Sequence, residues 1–456
     1  MEWDLLQIKT IPWLLEYLKE DAMVRAFRNG WIVILSLILF SLIIPNPSFA
    51  RKERSSKKAE AAQTVKRSKP ARPPQPAPAP QVTSSTLQCD SQSALLMDGL
   101  TGEVLYEQNP RMRIPPASFV KVLTLYLAFD AIRGGQLKLS DLVTVSEKAW
   151  RTQGSKMFVK VGSQVRVEDL LKGIAIASGN DACIALAEYM AGSEEVFVSK
   201  MNEKAKLLGM NDSQFKNADG MPAEGQYTTA LDMAILGKRY IEDHPEALAI
   251  HSMTEFEYNG IRQGNRNTLL AKNIGVDGLK TGHIEESGYH LAATAKREGQ
   301  RMIAVVMGCD KVKKRAPEAQ KLLEYGFKNF STVEAVKKGA TFGPVKVKRG
   351  KLNQVTLIAS EDAKVTVAKG KEKAVSATPE LPPFIVAPIK KGQGVAKILI
   401  QNEGKTVKEV SLLASSDVEK SLIPPWPVLV AIFVVLCLIG VGSVWWIRRT
   451  RVKRYG

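Results

Sequence analysis

Cysteine and histidine are scarce in this sequence, with four of each among 456 residues. Cys89, Cys183, Cys309 and Cys437 have no metal-site spacing, and they do not make a disulfide scaffold. No zinc-finger, helix-turn-helix or aromatic RNA-reading signature occurs. The formal charge of +18 therefore does not point to nucleic acid. An anionic membrane surface or an acidic polymer stays open to such a charge. Much of the excess lies in a Lys/Arg-rich stretch near the N-terminus and in a basic tail. The length allows two or three domains, each with its own core.

Both ends of the chain carry apolar runs. Residues 31–44 are almost continuously apolar, with Arg25 and Arg28 before them and Pro45, Pro47, Ser48 and Ala50 after. A positive flank, an apolar core and a break with small residues read as an export signal cut after Ala50. The rival reading is an uncleaved anchor, for which the run is short. Met23 would start a signal of ordinary length, leaving residues 1–22 as an extended leader or an artefact of the start site. Residues 51–85 pass from scattered Lys and Arg into a Pro-Ala run that cannot bury a core. They form a linker, either a basic tether or a plain spacer.

The central part holds three short motifs. The first is Ser118-Phe119-Val120-Lys121, which opens the apolar helix 122–129 behind Pro115 and Pro116. Three residues apart, Ser118 and Lys121 share a helix face. Burial favours a neutral lysine, which can take a proton from the serine. The second is Ser178-Gly179-Asn180, a bend between helices expected over 167–176 and 181–190. The third is Lys280-Thr281-Gly282, where a strand edge can receive a carboxylate and Gly282 lets a ligand approach the backbone. Each alone has a bland reading: a snorkelling lysine, a capping turn, a strand end. Around them, a hairpin is expected over 95–106 and surface elements around Gly154-Ser155-Lys156. Further helices are expected over 195–208, 229–241 and 316–327, and strands over 256–261, 289–295 and 302–307.

In this order and context the three motifs resemble the penicillin-recognising serine acyltransferases. The stretches Ile261-Arg-Gln-Gly-Asn-Arg-Asn-Thr-Leu-Leu270, Val276-Asp-Gly-Leu-Lys-Thr-Gly-His283, Gly288-Tyr289 and Glu324-Tyr-Gly-Phe327 narrow the match. They resemble the low-molecular-mass D-alanyl-D-alanine carboxypeptidases. The resemblance implies an α/β (α+β) serine β-lactamase/transpeptidase-like domain with an antiparallel sheet and a helical subdomain over residues 86–330. It implies that Ser118 attacks the bond between two D-alanines of a peptidoglycan stem peptide, that Lys121 is the general base and that Ser178 relays a proton. Asn180 would hold Lys121 and the substrate. Lys280 and Thr281 would bind the terminal carboxylate, and the backbone N–H groups of Ser118 and His283 would form the oxyanion hole. β-Lactams would acylate the same serine. No metal or cofactor is implied, and a lysine base removes the need for an aspartate–histidine relay. Ile284 departs from relatives, which often carry Thr there.

The resemblance leaves alternatives to weigh. A β-lactamase would need a Glu-x-x-Leu-Asn arrangement, and none lies between Ser178 and Lys280. A DD-endopeptidase would share the motifs. A non-catalytic, membrane-tethered wall-binding protein is disfavoured by three intact motifs. In this fold the first and last strands pair antiparallel, which leaves Cys89 and Cys309 as either a disulfide or buried thiols.

Beyond Phe330, short Val/Thr/Ile runs alternate with Gly, Lys and Pro. They read as a small all-β sandwich over 331–415. Residues 427–447 are apolar and uncharged, with Trp426 at one end and Trp445 and Trp446 at the other. The basic residues of 448–456 follow. This reads as a transmembrane helix in the inner membrane, with the tail cytoplasmic and the catalytic domain outside. Family members often end instead in an amphipathic helix lying on the membrane.

Overall fold

The computed structural model describes residues 87–422 and 426–452. The expected export signal and linker lie outside them. The chain opens with β1 (Ser93–Asp98) and β2 (Val104–Gln108), the expected hairpin. A 3-10 turn, Ala117–Phe119, then carries Ser118 into α1 (Val120–Arg133). Next come β3 (Leu142–Thr144), α2 (Glu147–Arg151), β4 (Gln164–Arg166) and α3 (Val167–Lys172). α4 (Asn180–Ala191), α5 (Glu194–Leu208), α6 (Ala230–Asp243) and α7 (Leu248–His251) complete the helical part. β5 (Glu255–Tyr258), β6 (Ile261–Gly264), β7 (Val276–Ile284), β8 (Gly288–Arg297), β9 (Gln300–Cys309) and α8 (Val312–Asn329) follow.

The main sheet has the order β2-β1-β9-β8-β7 and is antiparallel throughout. Strand alternation explains its place. On β9, Met302, Ala304 and Val306 join the core under α8, while Ile303, Val305 and Met307 join the core shared with α1 and α6. A strand apolar on both faces must lie between two layers, and β9 does. β7 is left as the edge beside the serine turn. Arg301 fixes this edge from β9, giving bidentate hydrogen bonds to Asp277 at 2.9 and 2.8 Å and one to Thr294 Oγ1 at 2.7 Å.

The structure corrects two local expectations and decides between the two cysteine alternatives. The strand expected over 256–261 is two strands, β5 and β6, joined at Asn259-Gly260, both with positive φ. Asn-Gly is a strong two-residue hairpin signal. The helix expected over 167–176 ends at Lys172 and loosens into a π-turn, Gly173–Ala177. Cys89 and Cys309 are free, buried thiols, so the disulfide alternative is not formed. The Gln108 side chain bonds both the N–H and the carbonyl of Cys89, drawing that segment toward β2. Burial first raises both thiols, Cys89 to about 11 and Cys309 to about 12.

The β domain begins at β10 (Phe330–Val336), directly after α8. It continues through β11 (Thr341–Lys348), β12 (Gln354–Ala359), β13 (Ala363–Ala368), β14 (Val375–Glu380), β15 (Ile385–Val386), β16 (Gly394–Asn402) and β17 (Lys405–Ala414). A six-stranded sheet, β14-β16-β17-β12-β11-β15, and a β10-β13 ribbon enclose one apolar core. Asp98 joins the domains, its carboxylate accepting from Thr332 Oγ1 at 2.5 Å and Thr366 Oγ1 at 2.9 Å. α9 (Trp426–Val452) is one uninterrupted apolar helix, and residues 427–450 are long enough to cross a membrane.

Candidate active site

The 3-10 turn places Ser118 where α1 begins, and Lys121 one turn later points into the protein. Lys121 is fully buried. Its Nζ lies 3.1 Å from Ser118 Oγ and 2.7 Å from Asn180 Oδ1, and it bonds the carbonyl of Asp219. Burial is the largest influence on this amine and lowers its pKa from 10.5. A neutral amine has two N–H groups and one lone pair. With the N–H groups given to Asn180 Oδ1 and the Asp219 carbonyl, the lone pair faces Ser118 Oγ. The apolar run of α1 is what makes that lysine dry.

The Ser-Gly-Asn bend supplies the opposite wall. Ser178 sits in the left-handed region, at φ 63°, at the end of the π-turn. Such a conformation is rare outside glycine, and π-turns collect at functional sites. It aims Ser178 Oγ at Ser118 Oγ, 3.1 Å away. Asn180 donates through Nδ2 to the Gln153 carbonyl at 2.7 Å, and its backbone N–H donates to the Ser155 carbonyl at 2.7 Å. Asp181 then accepts from the N–H groups of Met157, Phe158 and Val159. The 153–159 loop is thus bolted to the start of α4, so the amide of Asn180 cannot swing away from Lys121.

β7 closes the third side. Gly282 lies against the serine turn, and a Cβ there would come within 3.3 Å of both Ala117 Cβ and the Pro116 carbonyl. Gly220 (φ +87°) is tighter still, since a Cβ would fall 1.9 Å from the Ala117 carbonyl. Lys280 and Thr281 are buried. Lys280 Nζ bonds the Thr281 carbonyl at 3.2 Å. Its pKa falls well below 10.5, first through burial and then through the charges of Lys121, Arg266 and Arg315. Arg266 reaches Ser155 Oγ at 2.8 Å, and Arg315 bonds the carbonyls of Gly282 and Arg266. Cations gathered this closely favour an anion between them. His283 is exposed and stacks on Tyr289 with ring centroids 4.0 Å apart. Ile284 lines a cavity of about 420 Å³ that also touches Pro115, Pro116 and Ala117.

Sequence reasoning singled out Ser118, Lys121, Ser178, Asn180, Lys280, Thr281, Gly282 and His283, and the fold brings their elements together. It missed Asp219, Ser155, Arg315 and His290. His290 is buried on β8, accepts from Gly308 N–H at 2.9 Å through Nδ1, and so presents Nε2–H to the Pro115 carbonyl at 3.2 Å. Ser287 Oγ donates to the same carbonyl at 3.0 Å. Together they fix the segment leading into Ser118. Their signal was invisible without the register that sets β8 beside the serine turn.

A serine hydrogen-bonded to a buried lysine, facing a second serine and a cationic strand edge on this fold, is the arrangement of the transpeptidase-like serine acyltransferases. The profile for D-alanyl-D-alanine carboxypeptidase, peptidase S11, matches residues 80–311. The profile for the penicillin-binding protein 5 C-terminal domain matches residues 330–420. The D-alanyl-D-alanine carboxypeptidase DacC of Escherichia coli K12 is 44% identical over 339 residues, covering 73% of this chain and 85% of that protein. DacF of Bacillus subtilis is 38% identical over 350 residues, covering 74% and 88%. The crystal structure of penicillin-binding protein 5 from Haemophilus influenzae is 39% identical, with TM-score 0.68, covering 73% of this chain and 99% of that one. The chain belongs to the peptidase S11 family of D-alanyl-D-alanine carboxypeptidases. α9 lies beyond both profile matches.

Proposed function

We propose that Ser118 is the acylated nucleophile with which this serine-type D-Ala-D-Ala carboxypeptidase trims peptidoglycan stem peptides. The observation that carries the assignment is the buried Lys121 Nζ, 3.1 Å from Ser118 Oγ, with burial lowering its pKa. Lys121 takes the hydroxyl proton as Oγ attacks the carbonyl of the penultimate D-alanine. The developing oxyanion sits between the backbone N–H groups of Ser118 and His283. Ser178 passes the proton to the leaving nitrogen, the C–N bond breaks, and D-alanine departs. Water, deprotonated by the same lysine, then hydrolyses the ester. Asn180 keeps Lys121 in register and meets the substrate backbone. Lys280 and Thr281 hold the terminal carboxylate, which relieves the repulsion among Lys280, Arg266 and Arg315. β-Lactams carry a carboxylate beside a strained amide and acylate the same serine.

For the rest of the chain, the reading is an export signal through Ala50, a linker over 51–85, the catalytic domain over 86–330 and the β domain over 331–415. α9 spans the inner membrane, with the tail after Ile447 cytoplasmic and the catalytic domain outside. The basic residues after Trp445 and Trp446 support that orientation.

A labelled penicillin tests the nucleophile. Mass spectrometry should find the adduct on the peptide bearing Ser118 and none in Ser118→Ala. An adduct elsewhere, or none in the native chain, overturns the assignment. Digestion of purified muropeptides separates the two wall activities. Loss of a single D-alanine supports carboxypeptidase action, and cleavage of cross-links would mark an endopeptidase.

A further inference from the structure

We infer that the end of the β domain remote from the catalytic domain is a docking surface for anionic lipid headgroups. Strand register identifies that end. β17 starts at Lys405, beside the 371–374 turn, where Glu403 N–H bonds the Ala374 carbonyl. That turn borders the catalytic domain, since Lys369 bonds the carbonyls of both Asn329 and Phe327. β17 then runs away to Ala414, which pairs with Leu357 and bonds Gln393. β11 also arrives there, with Lys346 opposite Gln354.

Three segments converge at this remote end. Lys351 N–H bonds the Glu419 carbonyl, Ser421 N–H bonds the Arg349 carbonyl, and Ile389 pairs with Val418. They expose Lys348, Arg349, Lys351, Lys390, Lys391 and Lys420. The carboxylates among them are Asp417 and Glu419, and Glu419 already pairs with Lys351 at 2.5 Å. Beside these cations, Leu352 is 49% exposed and Leu422 is 92% exposed. Lys348 Nζ lies 3.2 Å from the centre of the Phe384 ring, itself 40% exposed. Cations interleaved with exposed apolar side chains suit a surface charged outside and oily beneath.

Chain length selects a membrane as the occupant. α9 begins at Trp426, five residues after Ser421. Five extended residues reach at most about 18 Å. Lys420 and its neighbours are therefore held within roughly two Debye lengths of the bilayer into which α9 inserts. At that distance an excess of cations is drawn to anionic headgroups, which would stand the β domain upright on the membrane.

The inference rests on the spanning helix proposed above, so the test reads the two separately. The full chain, with Cys437→Ser and a fluorophore on Leu352→Cys, is reconstituted into nanodiscs carrying a headgroup quencher. Cys89, Cys183 and Cys309 are buried and stay unlabelled. Quenching should be about twofold greater with phosphatidylglycerol than with phosphatidylcholine. It should fall to the phosphatidylcholine level in 0.5 M salt or in Lys348→Glu/Lys390→Glu/Lys391→Glu. Urea unfolding of the β domain at the native midpoint, with unchanged acylation by labelled penicillin, shows that both domains of this variant are folded. Alkaline carbonate extraction of membranes reports the span. Retention in the membrane with lipid-independent quenching overturns the docking surface alone. Extraction together with lipid-dependent quenching overturns the span and keeps the surface. Extraction with lipid-independent quenching removes both.

Discussion

The two folded domains treat polar groups in opposite ways. The catalytic domain buries Lys121, Lys280, Asp181, Asp219, His251 and His290, whereas among the described residues of the β domain the buried polar side chain is Thr366, which serves the junction. Burying such groups is unfavourable unless each is partnered, so the catalytic domain spends stability on a constellation that does chemistry. The β domain core of Leu357, Ile398, Ile400, Val410 and Leu412 does none. Changes in the first domain should therefore read out in rate and pH, and changes in the second in stability.

The largest expected effect breaks the lysine. Lys121→Met keeps the length and removes the base, and should slow acylation by labelled penicillin about 10³-fold or more. Acylation within tenfold of native would exclude Lys121 from proton transfer. In the native chain the rate should climb as pH rises through the lowered pKa of Lys121, because the neutral amine is the reactive form.

Next in size is Leu357→Ala, a full truncation in the β core, expected to cost about 2–5 kcal/mol in urea unfolding of that domain. The acylation rate of the folded enzyme should not move. A parallel loss of rate would show that the domains are coupled through Asp98.

Acid should separate the domains as well. All four histidines lie in the catalytic domain. Burial lowers His290 to about 4, against 6.5 for an exposed histidine. The unfolded chain then binds a proton that the folded one refuses, so stability is full above pH 6.5 and is lost as pH falls toward 4. The shift corresponds to about 3 kcal/mol. His251 is lowered to about 4 by burial and adds in the same direction. Hydrogen exchange at pH 4.5 should show the catalytic domain opening first, and β-domain opening first would contradict this reading. The smallest effect is expected at Ile284, on the cavity wall. Ile284→Thr should change penicillin acylation by less than about tenfold, the scale of one side-chain hydrogen bond.

The motifs were legible because acyl transfer needs particular residue types at short spacing, and the helix behind Ser118 announced its burial by composition. Asn259-Gly260 shows a signal that was present and unread. Asp219 is a different matter. It offers Lys121 a backbone carbonyl, and any residue type would supply that atom.

By itself, the sequence determined the class of chemistry, the order of the domains and an apolar C-terminal helix. These depend on side-chain identity and on local periodicity. Only the tertiary structure decided which atoms face Ser118. Lys121 has its pKa lowered because segments far apart in the chain, those of Asn180 and Asp219 among them, bury it. Ser178 points at the nucleophile because a π-turn ends in a left-handed residue. Arg266 and Arg315 join Lys280 because the segment after β6 and α8 both lie against β7. Register and burial are properties of the whole fold, and no short stretch of residues carries them.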